Sequence, residues 1–220
     1  KDIIPKRGES HFAGALENNE DTGTLQYLAS TAMEAGFSTR VLDMQALDLQ
    51  NGRFFDPAGE LVNRCFKLYP WEWMVDESPD GCLAEMEWLE PIWKLVMSNK
   101  AILATLYELF PDSPYVLPCY LSRPRSGLFC KKPVFSREGH NVSVVDIRDW
   151  EEYVRIAETE GDYNTGAYVY QEYVEPTAYS GRYPVIGSWI IGGEAAGIGI
   201  RENRMEVTDN LSEFVPHIIG

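Results

Sequence analysis

The segment Lys131-Lys132-Pro133-Val134-Phe135-Ser136-Arg137-Glu138-Gly139-His140-Asn141-Val142 puts a lysine pair on a short apolar strand and runs it into a polar loop containing one glycine. Lys131, Lys132, Arg137 and His140 gather there although the chain carries a formal net charge of −15. A loop of this make-up holds phosphoryl oxygens by joining ammonium charge to backbone N–H groups. Solvated lysines beside a turn have the same composition. Neither the glycine-rich P-loop pattern nor the three-glycine dinucleotide loop is present, so the residues alone leave both readings open.

The flanking sequence places this loop at the mouth of a hairpin. Leu128-Phe129-Cys130-Lys131-Lys132 reads as a strand, residues 133–139 as its return loop, and Val142-Ser143-Val144-Val145 as the partner strand. Strand alternation sends Lys131 and Lys132 to opposite faces. Asp149 is expected to cap a helix from Trp150 to about Glu158, broken by Gly161 and Asp162. Beyond it, Ala167 to Val174 alternates like a strand and stops before Pro176. Gly187-Ser188-Trp189-Ile190-Ile191 turns at Gly192-Gly193 into a strand from Glu194 to Glu202, a good hairpin signal. Ala195, Ala196, Gly197 and Gly199 leave room for another backbone or a flat ligand, and Arg201 emerges at the strand's end.

Upstream of the loop, Pro114 to Leu121 reads as a connector with a strand in it, and Arg123-Pro124-Arg125-Ser126-Gly127 as a turn. Ser98 is expected to cap a helix with Ile102, Leu103, Leu106, Leu109 and Phe110 on one face, stopped by Pro111. Lys100 then falls in the first turn, where the helix field mildly disfavours a cation.

The amino-terminal part reads as an α/β unit. His11 to Leu16 is an expected strand, Glu17 to Thr22 a loop, and Leu25, Leu28, Ala29, Ala32 and Met33 a helical stripe ending before Gly36. Thr39 to Asp43 is a second strand, and Gly52 with Arg53-Phe54-Phe55 a turn and strand closed by Pro57-Ala58-Gly59. Val62 to Tyr69 fits either type of element. Four of the six tryptophans lie between Trp71 and Trp93, and packed core is the commoner use of such rings than a ligand platform. Pro79-Asp80-Gly81 reads as a turn, and Glu85, Glu87 and Glu90 as a solvated face.

With 34 acidic against 19 basic residues, the chain lacks the basic footprint that nucleic acid or an anionic membrane surface requires. No apolar run reaches the length of a membrane span, and the first six residues lack the apolar core of a secretory signal. Cys65, Cys82, Cys119 and Cys130 show no C-x-x-C pairing, which makes buried free thiols the expectation rather than disulfides or zinc. A cytoplasmic protein is the economical inference.

Several ordered stretches together resemble the glutathionylspermidine synthase family. They are Phe66-Lys67-Leu68-Tyr69-Pro70-Trp71-Glu72-Trp73-Met74, Lys94 to Lys100, the Lys132 to Val142 loop, Gly187 to Ile191, Gly197-Ile198-Gly199-Ile200-Arg201-Glu202 and Val207 to His217. The resemblance spans about His11 to Ile219. It implies an α/β chain with a partial ATP-grasp fold, mixed and antiparallel sheets and flanking helices. The expected division is residues 1–93 as a substrate-side portion with a tryptophan-rich junction, 94–165 as a nucleotide lid subdomain and 166–220 as the carboxyl-terminal sheet portion.

The implied chemistry is ATP-dependent carbon–nitrogen ligation with Mg2+: a carboxylate is phosphorylated, and an amine attacks the acylphosphate. Peptide or glutathione-like carboxylates and polyamine-like amines are the implied substrates. On the resemblance, Lys100 and Lys132 hold phosphates, and Ser136, Arg137, Glu138, Gly139, His140 and Asn141 form the lid over them. Gln171, Glu172 and Tyr173 border adenine, and Arg201 stabilises the transferring phosphoryl group. Family members carry their metal-binding Asp and Glu-x-Asn pattern upstream of the matched region. The spacing of Glu202, Asn203, Asp209 and Asn210 does not reproduce it, so no metal ligand is assigned and the chain is expected to be the carboxyl-terminal part of a longer ligase. A nucleotide-binding regulatory module and a structural or protein-binding domain are the alternatives.

Overall fold

The computed structural model describes residues 8–149, 152–163, 166–207 and 212–218. The chain divides into two compact units, residues 1–96 and 97–220.

The first unit is built on β1 (Glu9–Gly14), whose interior residues are buried. Asn18 ends the following turn, its side-chain oxygen accepting the Glu20 N–H at 2.9 Å, and so starts α1 (Asn19–Glu34). The helix thus begins within the expected Glu17–Thr22 loop, because a side-chain cap there satisfies an otherwise orphaned donor. Glu20 and Asp21 in its first turn suit the helix field. Leu25 and Ala29 bury against Phe12, and Gly36 at φ 92° closes the helix with its N–H on the Met33 carbonyl.

The chain returns as β2 (Ser38–Asp43), parallel to β1, the crossover that a parallel pair requires. β3 (Asp48–Gln50), β4 (Arg53–Phe55) and β5 (Leu61–Val62) form a small antiparallel sheet. The undecided stretch from Val62 to Tyr69 is mostly strand: β6 (Arg64–Leu68) pairs parallel to β1, and β7 (Glu87–Leu89) parallel to β6, giving the order β2-β1-β6-β7.

Between β6 and β7 lie α2 (Trp71–Glu77) and α3 (Pro79–Cys82), the latter a single helical turn where a simple turn was expected. Trp71 and Trp88 pack edge to face at 5.6 Å inside the core, whereas Trp73 and Trp93 are exposed. Glu85, Glu87 and Glu90 are exposed as expected, and Glu87 also binds the guanidinium of buried Arg64 at 2.8 Å.

α4 (Leu95–Ser98) precedes α5 (Ala101–Leu109). Ser98 ends the former instead of capping the latter; the Asn99 side chain accepts the Ala101 N–H at 2.9 Å. The packed face of α5 is Ala101, Leu103, Ala104 and Tyr107, while Leu109 and Phe110 are exposed. The expected stripe was displaced because the small Ala101 and Ala104 let the helix approach the sheet.

That sheet comprises β8 (Cys119–Tyr120), β9 (Gly127–Pro133), β10 (Ser143–Ile147), β11 (Tyr153–Glu158) and β12 (Tyr168–Glu172), all antiparallel in the order β11-β10-β9-β12-β8. The helix expected over 150–158 is absent from its described part. Asp149 accepts the Glu152 N–H at 2.8 Å in a turn, and Tyr153–Glu158 then satisfies its backbone along β10; residues 150 and 151 lie outside the described residues. β13 (Tyr183–Ile191), β14 (Glu194–Asn203) and β15 (Glu213–Val215) form a second antiparallel sheet. Gly192 and Gly193 both take positive φ at the β13–β14 turn, as a two-residue hairpin demands.

Candidate functional site

β9 delivers the two lysines to opposite faces of its sheet. Lys131 stands over the Tyr168 ring, 4.0 Å from its centroid. Lys132 reaches across to β12 and donates to Gln171 Oε1 at 2.7 Å. Lys132 is opposite Val169 and Gln171 opposite Cys130, so this is a diagonal cross-strand pair on one face. Cys119 lies opposite Gln171 on its other side. Burial raises the pKa of the Cys119 and Cys130 thiols, with Lys132 pulling weakly the other way, so both remain neutral thiols.

Lys100 occupies the N-cap of α5, and its backbone N–H donates to the Val134 carbonyl at 2.8 Å, tying the helix start to the end of β9. Its ammonium donates to the Ser136 carbonyl and, at 2.9 Å, to the Ser136 hydroxyl. The cation at the helix start is therefore held on the loop that follows β9, where a fixed positive charge can meet an anionic ligand.

The loop from Ser136 to Asn141 needs unusual backbone geometry. Glu138, Gly139 and Asn141 take φ of 57°, 73° and 55° in close succession, which bends the chain sharply. His140 donates its N–H to the Arg137 carbonyl at 2.9 Å and lies 3.9 Å from Glu138. A strap at 159–163 pins the loop from behind. Asn141 Nδ2 donates to the Gly161 carbonyl at 2.7 Å, Asn141 Oδ1 accepts the Tyr163 N–H at 2.8 Å, and the Thr159 hydroxyl donates to the Gly139 carbonyl. In the sequence, Gly161 and Asp162 read only as helix breakers; the anchoring role of the strap depends on β11 being a strand.

In the segment after Gln171, the Glu172 N–H is taken by the Pro118 carbonyl at 2.8 Å and the Tyr173 N–H by the Leu128 carbonyl at 3.0 Å. The Tyr173 hydroxyl donates to Glu206, and burial followed by that carboxylate keeps the phenol protonated. Glu206 had no signal in the sequence, since the pair joins residues far apart in the chain. Arg201 belongs to the β13-β14-β15 sheet, opposite Val185 and Phe214, with its guanidinium 5.7 Å from the Phe214 ring. The contacts thus join Lys100 to Ser136 and Lys132 to Gln171, while Arg201 is held separately.

Each ammonium group now rests on neutral oxygens, Lys100 on Ser136 and Lys132 on Gln171, and such oxygens are replaceable by stronger anionic acceptors such as those of a phosphate. The metal is a different matter. Among the described residues no group of three or more His, Cys, Asp or Glu side chains is placed to hold an ion. Glu202 pairs with Arg182 at 3.9 Å, Asn203 donates to Ser212 at 3.2 Å, and Asp209 and Asn210 lie outside the described residues. The described side chains therefore do not fit a Mg2+ centre.

The two α/β units define a partial ATP-grasp architecture, and the fold resembles that of the D-cycloserine synthetase DcsG with a TM-score of 0.52 at 14% identity, covering 88% of this chain and 68% of that one. Residues 2–220 match the glutathionylspermidine synthase preATP-grasp family, and the chain belongs to that family. A Haemophilus influenzae protein named as an acid–amine ligase is 36% identical over 207 residues, which cover 90% of this chain and 53% of the relative. Trypanothione synthetase of Crithidia fasciculata is 35% identical, over 94% of this chain and 35% of the relative. The bifunctional glutathionylspermidine synthetase/amidase of Escherichia coli is 26% identical, over 91% and 36% respectively. The chain thus spans about half the length of the first relative and about a third of the others.

Proposed function

We propose that the chain is the nucleotide-holding part of an ATP-dependent ligase that joins a peptide or glutathione-like carboxylate to a polyamine-like amine through an acylphosphate. Residues 1–93 serve the substrate side, 94–165 the lid and 166–220 the carboxyl-terminal sheet, in a cytoplasmic enzyme. Lys100 and Lys132 neutralise phosphate oxygens, and the Ser136 to Asn141 loop covers them and excludes water. The Gln171 side chain meets adenine, with Glu172 and Tyr173 bordering the base, and Arg201 meets charge on the transferring phosphoryl group. Bound ATP supplies that phosphoryl group, and Mg2+ is held by donors outside the described residues.

The observation that carries this reading is the 2.7 Å contact between Lys132 and Gln171. It joins in one place the residues assigned to the phosphates and to the base, as a nucleotide lying along β9 and β12 requires. Equilibrium titration with ATP and Mg2+ tests it. Lys132→Ala is expected to weaken binding at least about tenfold, since a charge-assisted hydrogen bond is lost. Equal affinity of the two proteins would overturn the nucleotide assignment.

A regulatory nucleotide-binding module is the alternative to a ligase. Positional isotope exchange in ATP separates the two, measured on a polypeptide that also carries the Asp and Glu-x-Asn donors. Exchange driven by a carboxylate supports the ligase, and nucleotide binding without exchange supports the module.

A further inference from the structure

The first unit has a second polar site, none of whose residues has been given a role in the ligase reading. A cavity of about 420 Å³ opens at the amino-terminal edge of the parallel sheet, where Glu9, Arg64 and Glu87 are the first residues of β1, β6 and β7. His11, two residues after Glu9 in β1, lines it and is 2% exposed. Neither ring nitrogen makes a hydrogen bond of ordinary geometry; Nε2 sits 3.6 Å from Glu9 Oε2. Buried polar atoms are normally satisfied, so an imidazole left this way beside a polar cavity calls for a partner from the cavity.

The charges around it indicate what kind of partner. Arg64 is bound to Glu87 at 2.8 Å, and Arg40 is shared between Glu9 at 3.1 Å and Asp56. Asp56 is fully engaged, accepting the Ala58 and Glu60 N–H groups at 2.9 Å as well as the guanidinium, and its carboxyl is held below the usual range first by the Glu60 N–H. Glu60 lines the cavity with no counter-cation among the described residues. Among the described residues three carboxylates (Glu9, Glu60, Glu87) therefore line the cavity with two guanidiniums, and one of these, Arg40, is also bound to Asp56. Burial chiefly, with help from Arg40, lowers the pKa of His11, against upward pulls from Glu9, Asp56 and the Arg64 backbone. The ring thus adds a hydrogen-bond acceptor and no further positive charge. An excess of carboxylates disfavours an anion, and these side chains do not form a metal-binding group.

We propose that this cavity binds a primary aliphatic ammonium group, with the His11 ring accepting one N–H and Glu60 and Glu9 supplying the opposing charge. The proposal does not depend on the nucleotide assignment: every residue in the site belongs to the first unit, and none belongs to the set assigned to ATP. The free ammonium of an amine and the α-ammonium of an amino acid share this chemistry.

Imidazole NMR of the folded chain, without nucleotide, tests the site with propylammonium, glycine and propionate at constant ionic strength. Propylammonium is expected to move the His11 ring resonances saturably and to leave His140 and His217 in place. Glycine binding as tightly points to amino acids as the source, and weaker glycine binding to simple amines; either supports an ammonium site. Glu60→Gln, a change at an exposed side chain, is expected to weaken propylammonium binding about tenfold. No saturable movement, an equal response to propionate, or unchanged affinity in E60Q would overturn the proposal.

Discussion

Lys67 shows how a single residue sets a pH dependence. It is 5% exposed at the end of β6, with its ammonium donating to the Tyr69 carbonyl at 2.9 Å and standing 4.1 Å from the centre of the Trp71 ring. Burial is the main influence on it and outweighs the carboxylates of Glu90 and Glu72, bringing its pKa down to about 8 from 10.5. Between those values the unfolded chain holds a proton that the folded chain has released, so this group makes stability rise with pH across the window. In urea unfolding at stepped pH, the stability of the wild type minus that of Lys67→Met is expected to climb between pH 8 and 10.5. The climb reaches at most about 3 kcal/mol, one pH unit of difference in proton binding being worth ~1.4 kcal/mol. A flat or falling difference counts against this account. The sequence marked Lys67 only as part of a family-matching stretch, because the burial of its side chain depends on Trp71 and the sheet packing around it.

At the scale of elements, the 136–141 loop is held by its contacts with residues 159–163 as much as by its own turn. A Cβ added at Gly161 would lie 2.5 Å from His140 Cβ and 2.8 Å from Asn141 Oδ1. Gly161→Ala must therefore displace the strap or the loop, with an expected cost of about 1–3 kcal/mol. Faster hydrogen exchange at the Tyr163 amide should accompany it, because that N–H depends on Asn141; unaltered exchange and stability would show that the strap does not hold the loop. Other elements differ in how far the sequence revealed them. The β9–β10 pairing and the Gly192-Gly193 hairpin were legible, since alternation and left-handed turn geometry are local properties. β11 was not: every residue of Tyr153–Glu158 is exposed, so no buried face imposed a clear period, and Asp149 suits a turn as well as a helix cap. The packed face of α5 is not legible in the sequence because its large apolar residues outnumber the alanines that contact the sheet. In the site, the alternation of Lys131 and Lys132 followed from strand geometry, whereas the Tyr173–Glu206 pair and the His11 cavity required the three-dimensional structure.

At the scale of the whole molecule, the two units have separate cores. In the first, Trp71 and Trp88 pack with Val62, Cys65 and Phe54; in the second, Phe129, Val145 and Ile147 form one cluster and Ala104, Cys119 and Val169 another. Units with their own cores unfold as their own cooperative transitions, so a single two-state curve is not expected. Tryptophan fluorescence follows the first unit through buried Trp71 and Trp88, and hydrogen exchange at Val145 and Ile147 follows the second. Saturation with nucleotide should act on these transitions unequally, because the lysine and lid set lies wholly within the second unit. With ATP at 100 times its Kd, that unit should gain about 2.7 kcal/mol, while the fluorescence midpoint stays where it was. If both probes shift together, the units share one transition; if neither shifts, the second unit does not hold the nucleotide.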